Sequence, residues 1–184
     1  MPQGTVNPER TPEELARLAQ AGSSQEFDAL ARLFTPRLVR YLRRLTRRRE
    51  DAEDIAQETL LRAVRNIDRY DPNRPFGAWL FTIATRLASN HARRKPTVTL
   101  DAEPASNEST PHETLETKQE AQNIWARAQR ILPARQHMAL WLRYAEELDT
   151  HDIAEVLGLT RLHTRVLLHR ARQAILNDCR MNQR

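Results

Sequence analysis

Between residues 161 and 172 the chain carries Arg161, His163, Arg165, His169, Arg170 and Arg172, beside apolar Leu162, Leu168, Ala171 and Ile175. Guanidinium groups at that density suit phosphate oxygens and the acceptor edge of guanine, which arginine meets with two parallel N–H bonds. The residues just before them, Thr150-His-Asp-Ile-Ala-Glu-Val-Leu-Gly-Leu-Thr160, have the spacing of a helix-turn-helix. Ile153, Ala154 and Leu157 form an apolar face, Gly158 takes the left-handed turn position, Leu159 fills the corner and Thr160 caps the next helix. A cationic helix after such a turn is the usual reader of a DNA major groove. The plainer alternative is a helical hairpin with a charged outer face. His163 and His169 stand six positions apart and do not share a helix face as paired metal ligands would.

A second group combines rings with arginine. Tyr70, Asn73, Arg74 and Phe76 lie in or beside the proline-bounded loop Asp68-Arg-Tyr-Asp-Pro-Asn-Arg-Pro75, with Arg69, Trp79, Phe81 and Arg86 close by in sequence. Unstacked bases lie on aromatic rings while phosphates meet guanidinium groups, so this mixture suits single-stranded nucleic acid. Core packing is the better reading for Trp79 and Phe81, which sit among Leu80, Ile83, Ala84 and Leu87. A third group is acidic: at about 100° per residue, Asp51, Asp54, Glu58 and Arg62 share one helix face, and Ala56, Leu60, Ala63 and Ile67 the opposite one. Ile55 and Leu61 flank the acidic face, as on a docking surface. Alternatively Asp51, Glu53 and Asp54 serve only the positive end of their helix, but Gln57 and Glu58 lie too far along for that.

The elements that must position these groups are helical, with no convincing strand pattern. Thr11 with Pro12 predicts a helix over 12–21. Ser24 is expected to cap a helix running to about Arg49 and bent at Pro36, followed by helices over 51–67 and 76–94. Residues 96–112 contain no Lys or Arg but three acids and three prolines, which predicts an extended acidic linker. Helices are then expected over 113–131, 134–146, 150–157 and 160–177. The fold class is therefore all-α: two small helical domains joined by a flexible linker. The boundaries read 1–23 for an N-terminal arm and short helix, 24–95 and 113–178 for the two domains, and 179–184 for a tail.

The 29 basic residues, almost all arginine, outnumber 24 acids and leave a formal charge of +5, which suits a polyanionic partner. The lone Cys179 can form neither an internal disulfide nor a thiolate zinc site, which points to a reducing compartment. The first residues lack the apolar core of a signal peptide and no run is long enough to span a membrane, so a cytoplasmic protein is expected. There is no Gly-rich phosphate loop, paired metal motif or nucleophile elbow, so no enzyme activity, cofactor or metal is expected. A stand-alone helix-turn-helix regulator would account for residues 134–177 but leaves the acidic helix and aromatic loop without a role.

Four ordered motifs, Phe27-Asp-Ala-Leu30, Asp51-Ala-Glu-Asp-Ile-Ala-Gln-Glu-Thr59, Phe76-Gly-Ala-Trp-Leu-Phe-Thr-Ile-Ala84 and Arg170-Ala-Arg172, resemble the sigma-70 family in its extracytoplasmic-function group, over roughly residues 25–178. The resemblance implies an alternative sigma factor built from regions 2 and 4. It implies that Asp51, Asp54, Gln57 and Glu58 bind the β′ clamp helices of core RNA polymerase. It assigns the promoter −10 element to Tyr70, Asn73, Arg74, Phe76 and Arg86, and the −35 element to Arg143, Thr160, Arg161, His163, Arg165, His169 and Arg170. The implied partners are core polymerase (β′ clamp helices and β flap), promoter DNA and an anti-sigma factor, without membrane insertion. The implied path of the linker is toward the active-centre cleft and RNA exit. Two positions depart from the family pattern. Arg86 stands where Asn is common, and Leu167 stands at the second basic position of the recognition helix, so promoter preference does not transfer directly.

Overall fold

Thr11 begins the first helix by exchanging two hydrogen bonds with Glu14: its hydroxyl accepts from the Glu14 N–H and its own N–H donates to the Glu14 carboxylate. In the computed structural model, which describes residues 10–46, 48–94 and 117–181, this helix is α1 (Pro12–Gln20). It is followed by α2 (Ser24–Leu42), α3 (Arg49–Arg65), a short 3-10 turn (Ile67–Arg69) and α4 (Phe76–Arg94). These form the first bundle. The second comprises α5 (Thr117–Ile131), α6 (Ala134–Tyr144), α7 (Thr150–Leu157) and α8 (Arg161–Met181). The architecture is all-α, as the periodicity predicts. The expected linker, 96–112, lies outside the described residues.

Several boundaries differ from expectation for local reasons. The second helix runs through Pro36 without a break and stops at Leu42 rather than Arg49. Beyond Leu42 the chain leaves the helix in a turn, where the Thr46 N–H still reaches the Leu42 carbonyl at 3.0 Å and the Thr46 hydroxyl lies 3.1 Å from the Leu42 and Arg48 carbonyls. The residue before this helix is Ser23, not Ser24, and its hydroxyl bonds the Glu26 carboxylate instead of a backbone N–H. Ile67, expected on the inner face of α3, belongs to the 3-10 turn that follows, where it is buried.

The core of the first bundle is built from Leu30, Phe34, Leu38, Tyr41 and Leu42 of α2, Ala52, Ala56 and Ala63 of α3, and Phe76, Leu80, Phe81 and Ala84 of α4. Alanines along α3 let its backbone approach its neighbours closely, while the large side chains come from α2 and α4. Tyr41 packs edge-on to Phe81 at 5.0 Å between centroids, and its buried hydroxyl is satisfied by Thr85 Oγ1 at 2.8 Å. The N-terminal helix, set apart in the sequence as an arm, is part of this bundle: α1 packs on α2, on the 3-10 turn and on α4.

In the second bundle Trp125 of α5 packs on Trp141 of α6 at 4.9 Å, and α6, α7 and α8 each pack on the other two. The two bundles meet. α4 packs on α7 as extensively as on α3, and Arg37 of α2 pairs with Glu146 beyond α6 at 2.5 Å. Arg40 lies over the Trp141 ring at 5.8 Å, and buried apolar residues of both bundles join in a cluster across the seam.

Candidate nucleic-acid and polymerase interface

The helix-turn-helix forms as its residue types dictate. Asp149 accepts the N–H groups of His151 and Asp152 and so opens α7, and that double acceptance holds its carboxyl below the usual range. Gly158 closes α7 at φ +63°, where a side chain would strain the backbone. Thr160 then accepts the His163 N–H at 3.2 Å and starts α8. Thr164, Leu167, Leu168 and Ala171 face inward, leaving Arg161, His163, Arg165, His169 and Arg170 exposed along the outer surface. Arg161, Arg165 and His169 follow at every fourth position, so they line one stripe. Arg161 Nε donates to His151 Nδ1 at 3.1 Å, which ties the stripe back to α7. Arg143 is also exposed, with Nη1 donating to the Leu148 carbonyl at 3.0 Å.

Two apolar positions on α8 clarify its register. Leu162 is 71% exposed and Val166 is also exposed, so both lie on the basic outer face rather than in the core. Leu167 is 7% exposed, so an arginine there would not reach a groove from the same register. The departure from the family pattern at this position is therefore a core choice.

In the loop of the first bundle the two rings lie deeper than a stacking surface would place them. Tyr70 and Phe76 are buried, Phe76 completely. The Phe76 ring meets Phe34 and Tyr70 at 5.3 Å each and Trp79 at 5.7 Å. The Tyr70 hydroxyl donates to the Arg74 carbonyl at 2.5 Å, and burial pushes that phenol well above its usual range. A ring with no exposed face offers nothing for a base to stack on. In this arrangement the two rings shape the loop and do not form its surface. Asn73 and Arg86 are exposed, Asn73 turning back to Asp71 Oδ1 through both its backbone and side-chain N–H groups. Arg74 is half-buried. Its Nη2 donates to Asp152 Oδ1 at 2.8 Å and meets Glu155 Oε2 at 2.7 Å, and these two carboxylates raise its already high pKa further.

The loop is held from α1. Glu13 Oε1 accepts the Phe76 N–H at 2.9 Å at the start of α4, and the Gln20 amide donates to the carbonyls of Ile67 and Tyr70 at 2.9 and 2.8 Å. Sequence reasoning passes over Glu13, Gln20, Asp152 and Glu155 because their partners lie between 47 and 81 residues away, beyond any helical period.

On α3, Asp54 and Gln57 are exposed and Glu58 bridges to Arg62 at 2.7 Å. Asp51 lies 3.4 Å from His91 Nε2 of α4. Ile55 is buried, whereas Leu61 and Val64 remain exposed, so the apolar flank of the acidic face is Leu61 and not Ile55. Among the described residues no cluster of His, Cys, Asp or Glu could hold a metal ion, and no helix is long and apolar enough to cross a membrane.

The family model for sigma-70 region 2 matches residues 30–96, and that for sigma-70 region 4 matches residues 124–175. The extracytoplasmic-function RNA polymerase sigma factor SigW of Bacillus subtilis is 29% identical over 172 residues, covering 86% of this chain and 91% of that protein. The sigma factor BldN of Streptomyces coelicolor is 32% identical over 165 residues, covering 86% of this chain and 62% of that protein. In fold, the chain is similar to the sigma factor RpoE of Bartonella quintana, solved with the anti-sigma factor NepR. The TM-score is 0.63 at 22% identity, over 83% of this chain and 96% of that one.

Proposed function

The chain belongs to the extracytoplasmic-function sigma factors of the sigma-70 family, and from that premise we propose how its two bundles divide the work of starting transcription. As a member of that family it binds RNA polymerase and promoter DNA for initiation and catalyses nothing itself. In our reading, residues 24–95 act as region 2. Asp51, Asp54, Gln57 and Glu58 dock on the β′ clamp helices, and Asn73, Arg74 and Arg86 meet the −10 strand, with Tyr70 and Phe76 holding the loop in shape. Residues 113–178 act as region 4, with Arg143, Thr160, Arg161, His163, Arg165, His169 and Arg170 on −35 duplex. Leu162 and Val166 join that surface, where an apolar side chain can meet a thymine methyl. The observation that carries the assignment is the outer face of α8, where the exposed basic residues rise directly from the Gly158 turn. Because RpoE was solved with an anti-sigma factor, a partner of that kind is proposed here too.

The test is the double reversal Asp54→Arg with Glu58→Arg. Asp54 is exposed and Glu58 lies at the surface, so circular dichroism should stay helical while binding to core polymerase is lost. Wild-type affinity for core would sink the assignment of α3.

A further inference from the structure

The outermost line of α8 begins apolar. At about 100° per residue the buried Thr164, Leu167, Leu168 and Ala171 centre on one direction, and Leu162 points almost opposite it, with Val166 about 40° round. Leu162 is the second residue of the helix and 71% exposed, and Val166 follows one turn later at 38%. Arg161 and Arg165 lie to one side of this crest, and His163 and Arg170 to the other. His169 and Gln173 continue the crest toward the C-terminus, so its apolar part is confined to the start of the helix.

We propose that Leu162 and Val166 are specificity-determining residues of this chain, reading the C5-methyl groups of one or two thymines in the −35 duplex. The role of α8 at −35 is taken from the functional reading above; which base feature it selects follows from the crest. A recognition helix presents its N-terminal residues to base edges. Being about 10–12 Å across, it fills a major groove about 12 Å wide, so its crest meets the floor and its flanks face the two phosphate strands. On that floor thymine alone carries a methyl group, and an apolar side chain against it removes both surfaces from water. The same side chain over the polar edge of guanine, adenine or cytosine strips water from donors and acceptors and replaces none of their hydrogen bonds. Discrimination therefore acts in both directions, for the methyl and against the other bases.

The cations are disposed to leave the crest to these two side chains. Arg161 Nε donates to His151 Nδ1 at 3.1 Å, which draws that guanidinium toward α7 and off the outermost line. Arg165 and Arg170 are exposed on opposite flanks, where the strand phosphates run. That basic rim fits a polyanion on both sides of the apolar pair, whereas an apolar protein surface would leave the arginines without acids to meet.

The experiment uses holoenzyme reconstituted from the full chain and core RNA polymerase. Promoter-length duplexes randomised across the −35 and −10 segments are selected for binding, and each −35 thymine of a selected duplex is then replaced singly by uracil, which keeps the hydrogen bonds and lacks the methyl. Uracil should weaken wild-type binding by about fourfold at one or two positions, the effect of one methyl-sized group left in water. Leu162→Ala with Val166→Ala should bind the thymine duplex as weakly as the uracil one, and circular dichroism should stay helical because both residues are exposed. Indifference of wild type to uracil would overturn the proposal. So would a double variant that still distinguishes thymine from uracil, or one that loses core binding instead, which would give the apolar pair to a protein partner. Selection with no base enriched at −35 would overturn the assignment of α8 itself and this inference with it, whereas enrichment insensitive to the methyl removes this inference alone.

Discussion

Phe76 and Arg74 stand two positions apart and do opposite work, a distinction that residue type in a loop does not convey. The ring is fully buried among Phe34, Tyr70 and Trp79. Phe76→Ala should therefore cost about 3–5 kcal/mol of stability, as large aromatic truncations in cores do. Urea unfolding checks this, and a near-neutral variant would return Phe76 to the DNA surface. On α8 the expectation is reversed. Arg165 and Arg170 are exposed, and changing either to Ala should leave thermal stability near wild type. Binding to −35 duplex should weaken by about 1–3 kcal/mol for a base contact, and the slope of affinity against salt should flatten for a phosphate contact. Fluorescence anisotropy across a salt series separates the two; unchanged affinity at every salt would remove that arginine from the interface. The basic positions of α8 were legible because a cationic helix after a left-handed glycine carries its own context. The burial of Tyr70 and Phe76 was not, because the Phe34 ring on Phe76 comes from α2 and the amide that holds the Tyr70 carbonyl comes from α1, both far away in the sequence.

At the scale of elements, what could be read reliably was what repeats or caps locally. Thr11, Pro12, Gly158 and Thr160 each act within four residues of themselves, and the helices they bound begin or end where the sequence indicates, whereas the Asp149 cap of α7 appears only in the structure. The end of α2 was misplaced because the arginines after Leu42 are good helix formers, so residue type alone carries the pattern past the stop. Gly158 offers a clean test of backbone conformation. Its φ is +63° and a Cβ there would meet nothing within 4 Å, so any penalty is conformational and not steric crowding by neighbours. Gly158→Ala should lower stability by about 1–2 kcal/mol, with −35 binding reduced through the altered angle between α7 and α8. Denaturant midpoints measure the first effect, and an unchanged midpoint would contradict the left-handed turn.

Across the whole molecule, the pattern of two helical bundles could be anticipated, but their contact could not. Arg37 and Glu146 are separated by 109 residues and Arg74 and Asp152 by 78, so nothing in their surroundings marks them as partners. His137 makes this seam sensitive to acid. Burial, aided by the charge of Arg44, pushes its imidazole from 6.5 down to about 3. Between those values the unfolded chain takes up a proton that the folded chain refuses, so stability is full above pH 6.5 and falls as pH drops toward 3. At about pH 5 the loss from this group is about 2 kcal/mol. Urea midpoints at about pH 7.5 and about pH 5 should separate widely for wild type and less for His137→Leu. An equal separation in the variant would place the acid sensitivity elsewhere.

The bonds from α1 bear on how far the first bundle is an interchangeable part. The region 2 match begins at residue 30, after Glu13 and Gln20 have made their contacts. A chimera cut at that boundary would inherit the aromatic loop without the carboxylate that receives the first N–H of α4 or the amide that ties down two loop carbonyls. Transplanting this loop into another scaffold therefore calls for a fragment that starts at or before Thr11, where the capping exchange that anchors α1 begins.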